Sequence, residues 1–169
     1  MPTSEQALSQ EPTPEKLGSE HSKQALRLWL RLLTCSTEIE KLIRGNLTRD
    51  FGTTLPRFDI LSALDRNPDG LTMSALSKLL KVSNGNVTGL VDRLVQEKLV
   101  EREAMEHDRR IYKVTITNSG KLAFREMAEQ HEGWLDDMFE QLANDDIEDL
   151  LTLLTKLRNS VAQRKKNRG

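Results

Sequence analysis

Cysteine is almost missing from this chain of 169 residues, which has one, Cys35. A single thiol excludes an internal disulfide framework and a cysteine-rich zinc site, and its ordinary role is to fill a core. Long apolar runs are missing as well. No stretch approaches the roughly 20 residues that span a bilayer, and the amino-terminal MPTSEQALSQEPTPEKLGSE lacks the apolar centre of a secretion signal, so a cytoplasmic location is expected. The marks of catalysis are scarce. His21, His107 and His131 fall on separate elements, no serine or cysteine sits in a nucleophile motif, and no glycine-rich phosphate loop follows a strand. Without a His/Asp/Glu/Cys cluster at ligand spacing, neither an enzyme, nor a metal sensor, nor a bound cofactor is expected.

A dominant charge is missing too, since the net charge is -1. The distribution is more telling. Residues 72–117 hold eight Lys/Arg against six Asp/Glu, whereas residues 118–157 hold three against ten, so only the middle segment suits an anionic polymer. With 37% hydrophobic, 30% charged and 4% aromatic residues, the chain reads as one soluble, helix-rich domain.

Residues 1–20, with Pro2, Pro12 and Pro14, read as a disordered arm. Residues 21–54 hold a long helix with two apolar faces, Leu26, Trp29, Leu30 and Leu33 on one, Leu28, Leu32, Cys35, Ile39 and Leu42 on the other. A helix buried on two sides in so small a protein usually lies between its own core and a partner chain, which predicts a homodimer. Residues 55–117 then give a helix from about Leu55 to Arg66 and a short one capped by Thr72.

The stretch VSNGNVTGLVDRLVQEKLV, residues 82–100, follows. Its Asn84-Gly85 pair signals a hairpin, but Val87, Leu90, Val91, Leu94 and Val95 recur at helical spacing and Ser83 can cap the helix. On a helical wheel the opposite side carries Gly85, Asn86, Gly89, Asp92, Arg93 and Gln96. Small and amide residues there suit backbone approach to a major groove and bonding to base edges or phosphates. Ser83, Asn84, Gly85, Asn86, Thr88, Gly89 and Arg93 are therefore the candidate DNA contacts; the alternative is a poor surface helix. A short strand near Val100–Glu103, a charged loop Ala104–Arg110 and an alternating strand with Tyr112, Val114 and Ile116 on one face form a wing. His107, Arg109 and Arg110 near its tip are candidate contacts to phosphates or the minor groove. The predicted fold class is mostly α with a small β-hairpin wing, a winged helix-turn-helix within a helical homodimer.

Residues 118–163 add a helix over Ser119–Leu142 and another capped by Asn144, whose Ile147, Leu150, Leu151, Leu154, Leu157 and Val161 form an apolar stripe suited to dimerization. A basic tail, residues 164–169, ends the chain.

The order and spacing of LTMSALSKLLKVSNGNVTGLVDRLVQEKLVERE and DRRIYKVTITNSG resemble the MarR family of winged-helix transcriptional regulators over about Ser22–Val161. The resemblance implies an obligate homodimer whose recognition helices enter successive major grooves of a near-palindrome, commonly as a repressor. The chain departs from the family pattern at Lys98, where a glycine usually ends the recognition helix, and at Met105 and His107 in the wing. RLWLRLLTCSTEIEKLIRGNL, GTTLPRFDIL and HEGWLDDMF look most like the branch that answers to aromatic acids or their hydroxycinnamoyl-CoA thioesters. That resemblance implies a slot lined by Trp29, Leu30, Phe58 and Trp134 with Arg27, Arg31 and Arg57 at its mouth, although the same aromatics would serve equally as core and the arginines as surface. Two alternatives stay open: a winged helix used for protein interaction without DNA binding, and a thiol-based redox sensor using Cys35. Counted back from Pro56, the family's sensing position falls near Leu30, so Cys35 lies about a turn and a half too late.

Overall fold

A computed structural model describes residues 20–105 and 108–167, without the side chains of Asn84, Asp108, Arg109, Arg110 and Lys165. The elements run α1 (Glu20–Phe51), α2 (Leu55–Asp65), β1 (Leu71–Thr72), α3 (Met73–Leu80), α4 (Asn84–Gln96), β2 (Val100–Met105), β3 (Asp108–Ile116), α5 (Asn118–Phe139) and α6 (Asn144–Lys166). The chain divides inside α1, between Leu42 and Ile43, into two compact units. The first carries exposed Leu26, Leu28, Trp29, Leu30, Leu33 and Leu42 along its helix. Among the described residues no helix is long and apolar enough to cross a membrane.

In the second unit α2 is the central helix. Phe58, Ile60, Leu61, Ala63 and Leu64 are all buried, and at about 100° per residue they spread round the axis instead of forming one stripe. Leu47, Leu76, Val87, Val91, Leu94, Val100, Val114 and Met127 complete the core from the surrounding elements.

The wing is a three-stranded antiparallel sheet in the order β1-β3-β2. Its first strand, Leu71 and Thr72 paired with Val114 and Lys113, is too short to register in a sequence pattern. Thr72 serves twice, as strand residue and as α3 N-cap, its hydroxyl accepting from the Ala75 N–H at 3.2 Å. The hairpin strands run longer than predicted. Pairing continues to Met105 and Asp108 through an irregularity at Ala104/Met105, where the sequence suggested a charged loop from residue 104 to residue 110. Ladder bonds come from backbone, so charged side chains that stay in solvent do not stop the strand. Tyr112 is exposed although Val114 on the same face is fully buried, because the inner face leaves the core toward the tip.

Two helix boundaries also shift. Thr117 caps α5 by accepting from Gly120 N–H at 2.9 Å, and the helix stops at Phe139 instead of Leu142. Asn144 is the first residue of α6 and not its cap; the Asp146 carboxylate reaches back to the Ala143 N–H at 3.0 Å and satisfies a donor the helix leaves open. Exposed Leu150, Leu151, Leu153, Leu154, Leu157 and Val161 lie along α6.

Candidate nucleic-acid interface

The Asn84-Gly85 hairpin signal yields to the helix. Ser83 holds an extended backbone and its hydroxyl accepts from the Asn86 N–H at 3.4 Å, so the two amides enter the first turn of α4. Apolar burial fixes which way the helix faces: Val87, Val91 and Leu94 are each 0% exposed. Gly85, Asn86, Thr88, Gly89, Arg93 and Gln96 consequently lie on the exposed side. A Cβ built onto Gly85 or Gly89 meets nothing within 4 Å, so the fold itself does not require either glycine.

The other end of α4 closes without glycine. Lys98 N–H bonds to Val95 O at 2.9 Å and Leu99 N–H to Leu94 O at 2.9 Å, the paired bonds of a Schellman ending, with Lys98 at φ 61 in the left-handed region. Two arginines hold the helix laterally. Arg102 Nη2 on β2 meets Asp92 Oδ1 at 2.5 Å and Thr88 O at 3.5 Å, while Arg57 Nη2 on α2 pairs with Glu97 at the α4 C-cap. Part exposure limits what such pairs add to stability, to about 1 kcal/mol each, so their main effect is orientation. Asp92, placed by the wheel among the outward residues, is thus half-buried and engaged by the wing. Arg102 was not singled out in the sequence; its position in the LVER run directly after the helix was the available signal.

The structure brings seven predicted DNA residues together on α4 and its cap; of Asn84 only the backbone is described. Arg109 and Arg110 lie on β3 by backbone alone, and His107 lies outside the described residues.

The residues predicted to meet an effector belong to both units, and each set is described within its own. Arg27, Trp29, Leu30 and Arg31 are exposed on the first unit's stretch of α1. In the second unit Phe58 is 7% exposed and packs on Phe124 and His131 at centroid distances of 5.4 and 5.1 Å. Trp134 meets Phe51 at 6.2 Å and His131 at 6.5 Å, both edge-on. Arg57 is engaged by Glu97. A crevice of about 460 Å³ opens beside the wing root, lined by Val95, Lys98, Val100, Glu101, Arg102, Glu103 and Thr117. Cys35 is an exposed free thiol, and among the described residues no group of three or more His, Cys, Asp or Glu side chains is placed to hold a metal ion.

Comparison with known proteins places this geometry. A family model described as MarR family matches residues 51–111, the segment from the end of α1 into the wing. The transcriptional activatory protein BadR of Rhodopseudomonas palustris is 32% identical over 107 residues, 62% of this chain and 61% of that protein. An uncharacterised HTH-type regulator, YwhA, of Bacillus subtilis is 30% identical over 86 residues, 51% of this chain and 62% of that protein. The chain therefore spans about three fifths of the length of these two curated relatives. The crystal structure of a MarR family transcriptional regulator from Silicibacter pomeroyi superposes with a TM-score of 0.72 at 30% identity, covering 85% of this chain and 99% of that one. With the full length of that relative matched in both sequence and fold, the chain belongs to the MarR family of winged-helix transcriptional regulators.

Proposed function

We propose that this chain is a homodimeric, ligand-responsive regulator that binds operator DNA through α4 and the wing and is released by an aromatic acid or its CoA thioester. The observation that carries the DNA reading is the exposed glycine-amide face of α4, Gly85, Asn86 and Gly89, which costs helix stability and has no packing role. Ser83, Thr88 and Arg93 flank it, and Asn84, His107, Arg109 and Arg110 are the further proposed contacts. Binding should weaken steeply with salt and discriminate between duplexes. A duplex selected from a random pool, titrated by fluorescence anisotropy at several salt concentrations, tests both. Salt-independent or absent binding would favour the protein-interaction alternative.

Dimerization is supported by the unpartnered leucines of α1 and α6. The chain is expected to sediment as a dimer at low micromolar concentration, and a monomer mass there would remove the proposed pairing of recognition helices across one DNA turn of about 34 Å.

The effector class rests on the sequence resemblance. Arg27, Arg31 and Arg57 are proposed for its carboxylate or phosphates and Trp29, Leu30, Phe58 and Trp134 for its ring. A hundredfold loss of operator affinity needs only ~2.7 kcal/mol of differential ligand binding. Titration of the operator complex with free aromatic acids, matched CoA thioesters and CoA itself should show release by one of the first two. Arg27→Ala or Arg31→Ala should blunt that response more than DNA binding. Release by another chemical class alone would overturn the assignment. BadR is named as an activatory protein, and a transcription reporter assigns the sign of regulation here.

A further inference from the structure

Among the described residues, two that are not glycine hold a left-handed backbone: Lys81 at φ 55, just past α3, and Lys98 at φ 61, just past α4. Glycine is the residue this conformation favours, so at both positions the fold alone would prefer it. The surroundings of the two lysines differ. Lys98 lines the wing-root crevice beside Glu101 and Glu103, at the end of the 13-residue α4 remote from its cap, about 20 Å away at 1.5 Å per residue. Lys81 is exposed and lies two residues before the Ser83 cap, so its Cα is within about 7.6 Å of the recognition-helix entry.

The charge around Lys81 is one-sided. From Met73 through Val91 the sequence holds no Asp or Glu, and its only charged side chains are Lys78 and Lys81. The next acid, Asp92, is bound by Arg102. A major groove is about 12 Å wide, so a helix start on its axis is about 6 Å from either phosphate strand, a distance that a lysine's four-carbon stem covers.

We propose that Lys81 is a phosphate-contact residue in the turn of the helix-turn-helix, its strained backbone tolerated because the ammonium group grips the groove wall beside the entering helix. The proposal rests on the groove placement of α4. It predicts opposite signs for stability and binding, which a structural role for the lysine does not.

The test uses full-length protein, a duplex selected by the wild type from a random pool, and poly(dI-dC) as the unrelated duplex. Lys81→Gly is expected to raise the unfolding midpoint by about 2 to 4 °C. It should weaken binding to both duplexes by a similar factor, on the order of ten, and flatten the log K against log salt slope by about 0.9 for each phosphate no longer neutralised. Lys81→Arg should keep wild-type affinity and slope. Lys98→Gly should raise the midpoint as Lys81→Gly does while leaving DNA binding unchanged. A folded Lys81→Gly protein with the wild-type slope overturns the role of Lys81 and leaves the groove reading standing. A wild type that shows no salt-dependent binding to either duplex overturns the groove placement, and the lysine's role with it.

Discussion

Gly89→Leu is expected to yield a protein at least as stable as the parent that no longer binds its operator specifically. The stability half follows from local geometry. Gly89 is exposed in the middle of α4, and an added Cβ there meets no atom within 4 Å. Leucine in place of a mid-helix glycine removes a backbone-entropy cost of about 0.5 to 1 kcal/mol. The binding half follows from the face on which that side chain projects. An isobutyl group between α4 and the groove floor acts as overpacking at about 1 to 3 kcal/mol per site. Two sites in the proposed dimer make a loss of about 2 to 6 kcal/mol, roughly thirtyfold or more. Thermal unfolding and anisotropy on the same preparation separate the two halves. Full operator affinity in the folded variant would show that this face does not enter the groove. Asn86→Ala should cost less, about 1 to 3 kcal/mol of specific binding if its amide bonds a base edge.

Gly120→Ala is expected to act in the opposite way, damaging the fold throughout. A Cβ at this position would lie 2.0 Å from Leu99 O and 2.8 Å from Ile116 Cγ1. The oxygen belongs to backbone that cannot swing aside, because Leu99 O also accepts from Thr117 Oγ1 at 3.1 Å and from Thr117 N–H at 3.1 Å. Thr117 is itself the α5 cap. One methyl group therefore forces apart the end of the recognition helix, the root of the wing and the start of α5. The expected cost is about 3 kcal/mol or more, a large part of the 5 to 15 kcal/mol that holds an ordinary domain together. Urea unfolding measures it, and an unchanged midpoint would mean that the close approach of α5 to Leu99 is not present in solution.

Gly89 and Gly120 look alike in a sequence, and they show what can be read there. Periodicity located every helix of the second unit because the burial of Val87, Val91 and Leu94 repeats at helical spacing. It also exposed the misfit of Gly85 and Gly89, since a residue that contradicts its own helix on the solvent side points outside the fold. The tight passage at Gly120 depends on an approach between residues 21 apart in sequence, which no local pattern encodes. The same limit hid β1, a two-residue strand defined only by its partner. It also hid the engagement of Asp92 by Arg102 and of Arg57 by Glu97, where charge alone suggested solvent or ligand. Spacing likewise does not separate a slot from a core, because an aromatic such as Phe58 serves either use.

The placement of Arg57 and Phe58 on α2 has a mechanical consequence. These successive residues, about 100° apart around the helix, join it to two different neighbours: Arg57 to the end of α4 and Phe58 to Phe124 and His131 of α5. With buried side chains over more than half of its circumference, α2 cannot slide or roll without opening voids that a close-packed interior resists. It behaves as an axle keyed to both partners. A displacement of α5 is expected to reach the recognition helix as rotation of a rigid block, not as melting of α4. Amide exchange in α2 and α4 should therefore keep the same protection in the DNA-bound and released states, with the change between them confined to the elements that carry the block.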